Sequence, residues 1–102
     1  MSVEVGDKIE YSSFEDLVQK LKDYLIKKFG DTGHFAIAYS VNKAHCTYRK
    51  EKLRISAREL EEDNNFRVNV EISGLCSLRG TVYARNKAQK ILNNIISNLT
   101  KR

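Results

Sequence analysis

The sequence predicts an α+β fold with the element order β-α-β-β-β-β-α, in which two helices pack on one face of a curved antiparallel sheet. Two patterns support this fold class. Apolar and polar residues alternate in several strand-like segments, and two other segments repeat apolar residues at three- and four-residue steps. The chain has 102 residues, of which 41% are apolar and 30% are charged, so we expect one globular domain spanning residues 1–102.

The first part of the chain predicts a strand, a helix and a second strand. Apolar residues of one parity indicate the first strand over residues 3–11, with an interruption near Gly6 and Asp7. Ser12 or Ser13 caps the following helix, and Gly30 ends it. The buried stripe of that helix consists of Phe14, Leu17, Val18, Leu21, Tyr24, Leu25 and Phe29. Residues 35–41 then alternate between bulky and small side chains, which predicts a strand with one bulky and one small-residue face.

The second part of the chain predicts the remaining strands and the last helix. Residues 46–60 are too long for one uninterrupted strand, and the charged run 49–52 indicates a bulge or loop within them. Residues 66–72 show the cleanest alternation in the chain. Alternation continues over 76–83, which predicts the last strand, and the final helix is expected over about 85–99.

The charge distribution indicates a polyanion partner. No acidic residue follows Glu71; residues 1–31 have a net charge of −2 and residues 72–102 one of +6. Alternation predicts that arginines lie on the sheet face that the helices leave open, namely Arg54, Arg58, Arg67 and Arg79. The same alternation predicts that Leu53, Ile55, Val68, Val70, Leu78 and Val82 pack beneath the helices.

We therefore expect a small basic nucleic-acid-binding protein that contacts phosphates through this arginine-bearing face, without catalysis. Tyr83 is expected to stack on a base or pack on a sugar. The predicted contacts are Arg54, Arg58, Arg67, Arg79, Tyr83, Arg85 and Lys87. Four alternatives stay open: a solvated sheet face without a partner, a protein-interaction module, a homodimer, and a helix-on-sheet domain that holds an apolar ligand. The choice between DNA and RNA also stays open.

No catalytic or metal-binding motif is found in the sequence. His45, Cys46 and Cys76 offer three metal ligands, but adjacent residues of a strand point to opposite faces and no Cys-x-x-Cys spacing is present. We therefore expect no enzyme, metal or cofactor, and buried thiols in a reducing compartment. The polar N-terminus predicts no secretory signal, and no segment predicts a membrane span, so a cytoplasmic location is expected.

One segment resembles the end of a TATA-binding-protein repeat. Residues 72–80 read Ile-Ser-Gly-Leu-Cys-Ser-Leu-Arg-Gly before a basic helix start, and residues 33–39, Gly-His-Phe-Ala-Ile-Ala-Tyr, resemble the Phe-Ala-rich strand of that repeat. The family binds the DNA minor groove with its sheet and kinks the DNA with phenylalanine pairs. Here Phe35 and Phe66 fall on the apolar parity, and there is one repeat where the family has two. The resemblance therefore implies the fold, and not TATA-box recognition.

A second resemblance concerns the C-terminal part of the chain. Residues 66–99, with Arg-Asn-Lys-Ala-Gln-Lys at 85–90, resemble the last two strands and helix of a double-stranded-RNA-binding domain. In that family a basic cluster at the helix start contacts phosphates across the groove. Asn86 and Gln89 replace lysines of that pattern. A small RNA-binding protein of the signal-recognition particle, with α-β-β-β-α order, is a third and vaguer resemblance. All three imply nucleic acid, bound through different faces.

Overall fold

The structure is a computed structural model and describes residues 2–41, 43–75 and 77–100. In this part of the chain the elements are β1 (Val3–Glu10), α1 (Phe14–Phe29), β2 (His34–Ser40), β3 (Lys43–Lys50), β4 (Leu53–Glu59), β5 (Asn65–Ile72) and α2 (Leu78–Thr100). The strands form one antiparallel sheet with the order β1-β5-β4-β3-β2. The predicted fold class, with its β-α-β-β-β-β-α order, is confirmed. The interruption predicted near Gly6 and Asp7 is wrong, because β1 pairs with β5 without a break from Val3 to Glu10.

Both helices lie on one face of the sheet. Helix α2 packs against β1 and β5 and also contacts α1. Helix α1 lies beneath the other half of the sheet, where the Phe29 ring contacts that of Tyr48 and Phe14 contacts Tyr39. The prediction that Ile55, Val68 and Val70 pack beneath the helices is confirmed, because all three are fully buried. Leu53 is half-buried at the end of the same face.

Helix α1 begins and ends close to the predicted positions. Ser13 is the N-cap, and its side chain accepts a hydrogen bond of 3.1 Å from the backbone N–H of Asp16. Gly30 is the C-cap with φ of 83°, and its N–H donates to the carbonyl oxygen of Ile26 at 2.8 Å. That φ value favours glycine, so the sequence fixes this helix end locally.

The strand predicted over residues 76–83 is wrong. Helix α2 begins at Leu78, well before Arg85, and the Ser77 Oγ accepts a hydrogen bond from the Gly80 N–H at 3.0 Å. Leu78 is 84% exposed and Val82 is 59% exposed, so neither packs beneath a helix as predicted. The sheet order explains the error, because β1 and β4 already occupy both edges of β5. A strand following β5 after a short connection would find no free edge beside it. Cys76 lies outside the described residues.

Residues 46–60 instead supply the extra strand. Lys50 pairs with Leu53, so Glu51 and Lys52 form a two-residue turn between β3 and β4. The backbone of Glu51 has φ of 55°, the left-handed conformation that tight hairpin turns require. The break predicted near 49–52 is therefore a hairpin turn rather than a bulge in one strand.

Within residues 2–41, 43–75 and 77–100, no helix is both long and apolar enough to cross a lipid bilayer.

Candidate nucleic-acid interface

The sheet face turned away from both helices, which we name the open face, displays one line of basic residues across four neighbouring strands. Strand pairing places His45 opposite Arg58, Arg58 opposite Arg67, and Arg67 opposite Lys8. We name these four residues the basic row. Neighbouring strands lie about 4.8 Å apart, so the row extends over roughly 14 Å. His45, Arg58 and Lys8 are exposed and Arg67 is half-buried.

Small and uncharged side chains lie directly beside the basic row. The next line across the sheet, which we name the middle row, consists of Ala36, Thr47, Ser56, Asn69 and Gly6. Asn69 leans over Gly6, because a Cβ at Gly6 would lie only 1.8 Å from its Oδ1 atom. The middle row therefore forms a low polar floor that a sugar-phosphate backbone can approach closely.

A third line of the open face has basic residues at one end and carboxylates at the other. It runs His34, Arg49, Arg54, Glu71 and Glu4 across the five strands. The Arg54 Nε lies 3.8 Å from the Glu71 Oε1, so this arginine is already in an ion pair. Arg54 was predicted as a phosphate contact, and its placement on the open face is confirmed. Its charge, however, is partly compensated within the protein.

The basic row lacks such compensation at its centre. Within the described part of the chain, neither Arg58 nor Arg67 forms an ion pair. The Lys8 ammonium lies 3.7 Å from the Glu62 carboxylate, and both side chains are well exposed. An exposed pair of this kind contributes little and dissociates readily. The two central arginines thus present unpaired guanidinium groups, each able to bind a phosphate in bidentate geometry.

Four of the predicted site residues lie elsewhere. Arg79, Tyr83, Arg85 and Lys87 are on α2, in the layer of helices behind the sheet. Tyr83 is exposed there and does not join the arginines of the open face. The prediction of one continuous surface with Arg79 and Tyr83 on the sheet is therefore wrong. The cause is the early start of α2, because residues 78–83, which were predicted to lie in a strand, lie in this helix instead.

The described residues of the open face include no phenylalanine, tyrosine or tryptophan. The aromatic side chains of the strands, Phe35, Tyr39, Tyr48 and Phe66, have the opposite parity and face the helices. Stacking of unpaired bases on aromatic rings is the usual basis of single-strand binding. The open face thus offers cations and small polar groups without a stacking platform.

The His45-Cys46 pair is divided between the two faces of the sheet. His45 lies on the open face, whereas Cys46 is fully buried beneath the helices. Burial raises the pKa of the Cys46 thiol to about 11, and a hydrogen bond with the backbone of Ala57 opposes this only in part. Among the described residues, no group of three His, Cys, Asp or Glu side chains could hold a metal ion. Cys46 is therefore a neutral core thiol at physiological pH.

A cavity of about 820 Å³ opens between α2, the end of α1 and the β3–β4 turn. Its apolar lining consists of Phe29, Leu53, Ile72 and Ile91. The cavity is also lined by Lys50, Lys52, Lys87 and Glu51. Three lysines therefore lie around its apolar lining. The Lys50 ammonium donates a hydrogen bond to the carbonyl oxygen of Phe29 and thereby links this turn to α1. The predicted site residue Lys87 belongs to this cavity rather than to the open face.

Sequence reasoning missed two members of the basic row, His45 and Lys8. Lys8 joins the row because β1 pairs with β5, a contact between segments almost sixty residues apart. No local pattern specifies that pairing. Alternation in the first strand could have placed Lys8 on the polar face of the sheet. In the same way, His45 has the same parity as Thr47 and Arg49.

No protein-family model matches this chain, and a search of curated proteins finds no relative of it.

Proposed function

We propose that this protein binds nucleic acid through the phosphate backbone and that the basic row is the centre of the binding surface. The observation that supports the proposal is the position of Arg58 opposite Arg67, flanked by His45 and Lys8, without a carboxylate in the row. A protein that only presented a solvated sheet would gain stability by alternating charges at such positions. A row of like charges is instead suited to a line of phosphates.

The geometry favours a double-stranded ligand. One strand of B-DNA has a phosphate about every 3.4 Å of helix axis, so the 14 Å row spans the length of roughly four phosphates. The middle row allows close approach of the backbone, and the missing aromatic platform removes the main source of single-strand preference. Binding is therefore expected to depend steeply on salt and little on sequence.

The decisive experiment compares two double charge reversals in the same chain. Arg58→Glu/Arg67→Glu changes the basic row, whereas Arg79→Glu/Arg85→Glu changes two exposed arginines of α2. Both variants alter the net charge by the same amount. We expect the first to weaken binding to a mixed-sequence DNA duplex at least about tenfold and to lower the salt slope by about two, the value for two lost phosphate contacts.

The α2 variant is expected to bind within about threefold of wild type, since general charge acts weakly beyond the Debye length of roughly 10 Å. Equal losses in the two variants would show that net charge alone drives binding. A loss confined to the α2 variant would assign binding to the helix, as the resemblance to double-stranded-RNA-binding domains implies. Either result contradicts the proposal. Parallel titrations with an RNA duplex decide between DNA and RNA.

As part of the same proposal, the protein acts without catalysis, metal or cofactor and in the cytoplasm. The single buried thiol among the described residues has a raised pKa and is a poor nucleophile. The resemblance to a single TATA-binding-protein repeat remains a prediction about the fold, and the proposed binding surface is the basic row.

A second candidate function uses the cavity beside α2. Its apolar floor and three lysines fit an anionic amphiphile such as a fatty acid, with the chain on Ile91 and Leu53 and the carboxylate near Lys52. A fluorescent fatty acid tests this directly. The second candidate function predicts saturable binding of the fatty acid that Ile91→Asp abolishes. Val82→Asp, on the exposed part of α2, is the control and should leave this binding intact. Partitioning of the fatty acid without saturation would exclude the candidate function.

A further inference from the structure

The two edges of the sheet differ sharply in how they are protected. Strand β1, at one edge, contains Glu4, Asp7, Lys8 and Glu10, and Asp7 has the parity of the apolar face. Charged residues of this kind prevent a second strand from pairing with an exposed edge. Strand β2, at the other edge, has no charged residue from Phe35 to Ser40.

Strand β2 also exposes apolar side chains on the helix side of the sheet. Ile37 is 45% exposed, Tyr39 is 74% exposed, and Val41, just beyond the strand, is 90% exposed. On α1, Ile26 is also exposed. The Tyr39 ring meets the Phe14 ring in a T-shaped arrangement with centroids 6.3 Å apart, and most of the Tyr39 surface remains uncovered. An uncharged edge with such side chains is a ready template for another strand.

The sequence of β2 is complementary to itself in the antiparallel direction. When two copies of His34–Ser40 pair over their whole length, Ile37 is at the centre and lies opposite Ile37 of the other copy. Phe35 then lies opposite Tyr39, and Ala36 lies opposite Ala38. His34 lies opposite Ser40 at the two ends, and each pair between them joins side chains of similar character, with aromatic residues opposite aromatic residues on the helix side. Such self-complementarity is what a two-fold interface requires.

We infer that two copies of this chain associate through antiparallel pairing of β2 with β2, with the two-fold axis at Ile37. The resulting sheet has ten strands, and the exposed side chains of Ile37 and Tyr39 become covered by the other copy. Side chains of directly paired residues point to the same face of a sheet, so both open faces lie on the same side of the dimer. The inference rests on β2 alone and holds whether or not the open face binds nucleic acid.

Mass measurement over a range of concentrations tests the association. Wild type is expected to approach twice the mass of one chain as concentration rises, whereas Ile37→Lys remains a monomer because it places a charge at the axis. Val82→Lys is the matched control, since Val82 is a similarly exposed β-branched residue on α2. It should dimerise like wild type. A wild type that stays monomeric, or an Ile37→Lys variant that still dimerises while folded, would overturn the inference.

Disulfide cross-linking tests the register without relying on a charged variant. Residues opposite each other in an antiparallel pair have Cα atoms about 4.5 to 5.5 Å apart, within the range of a disulfide. In a Cys76→Ser background, Ile37→Cys is therefore expected to form an intermolecular disulfide under mild oxidation. Tyr39→Cys is expected not to, because two copies of residue 39 are four positions apart in this register. Cross-linking of Tyr39→Cys in preference to Ile37→Cys would refute the proposed axis.

Discussion

Arg58 and Arg67 lie directly opposite each other on neighbouring antiparallel strands, and among the described residues neither has a carboxylate partner. Their Cβ atoms are expected to lie about 5 Å apart, where like charges repel. Lys8 on one side and His45 on the other extend the line of basic residues. We expect this repulsion to lower the stability of the folded protein, and an anion bound between the two arginines would relieve it.

The repulsion predicts that removing one of the two charges stabilises the protein. Arg58→Gln should raise the free energy of unfolding by about 0.2–1 kcal/mol at low salt while weakening duplex binding. Added salt should shrink this difference by screening the wild-type repulsion. Urea denaturation at two salt concentrations measures it. Arg79→Gln, on α2, is the control and should leave stability nearly unchanged. An Arg58→Gln variant less stable than wild type would argue against repulsion in the row.

A buried tyrosine gives a second prediction. The Tyr48 hydroxyl is buried and, within the described part of the chain, has no hydrogen-bond partner. Replacing both members of a buried polar pair can be neutral, but a lone unsatisfied group costs free energy. Tyr48→Phe is therefore expected to maintain stability or raise it by up to about 1 kcal/mol. A loss above that size in thermal denaturation would show that the hydroxyl is satisfied in solution.

Gly33 explains how the Tyr48 ring fits at this place. A Cβ at position 33 would lie 2.3 Å from the Tyr48 hydroxyl oxygen and ring carbon, so the ring occupies the space of the missing side chain. Gly33→Ala should destabilise the protein by about 1–3 kcal/mol through overpacking. Gly30→Ala is less informative as a control because of its positive φ. The double variant Gly33→Ala/Tyr48→Leu, which removes the clash, should recover part of the loss.

The buried thiol predicts a loss of stability at high pH. Burial raises the pKa of Cys46 from its ordinary value of 9.0 to about 11 in the folded protein. As pH rises, the unfolded chain therefore loses the thiol proton before the folded protein does. The contribution of the neutral Cys46 thiol to the free energy of unfolding is complete below pH 9 and disappears as pH rises to about 11. The size is on the order of 2–3 kcal/mol. Urea denaturation of wild type and Cys46→Ala should converge in stability over this pH range, and a constant difference would contradict the shift.

The start of α2 predicts the effect of losing its cap. Ser77 accepts the Gly80 N–H and its backbone carbonyl oxygen accepts the Thr81 N–H at 3.0 Å. Ser77→Ala should cost about 0.5–2 kcal/mol, and Leu78→Ser, at an exposed position, should cost less than about 0.5 kcal/mol. If Leu78 lay in a strand beneath the helices, its replacement by serine would be the more damaging of the two. Thermal denaturation distinguishes these cases.

Local chemistry made much of the fold predictable. The alternation of Phe66, Val68 and Val70 and the cap residue Gly30 indicate their elements without reference to the rest of the chain. Residues 76–83 cannot be assigned from local sequence, because their alternation fits a strand whereas Ser77 fits the N-cap of a helix. The decision lies in the sheet order, which leaves no free edge on β5.

The candidate site was predictable only in part for the same reason. Parity placed Arg54, Arg58 and Arg67 on the open face. Parity could not show that Arg58 lies opposite Arg67, that Glu71 pairs with Arg54, or that Lys8 extends the row, because strand register depends on long-range pairing.

The most direct test of the basic row is to map backbone amide shifts by NMR while a short mixed-sequence DNA duplex is added at low salt. We expect the largest shifts in β3, β4 and β5 around His45, Arg58 and Arg67, with small shifts in α2 near Arg79 and Arg85. The shifts should disappear as salt is raised, as expected for phosphate contacts. Shifts concentrated in α2, or none on the open face at saturating duplex, would contradict the assignment of nucleic-acid binding to this row.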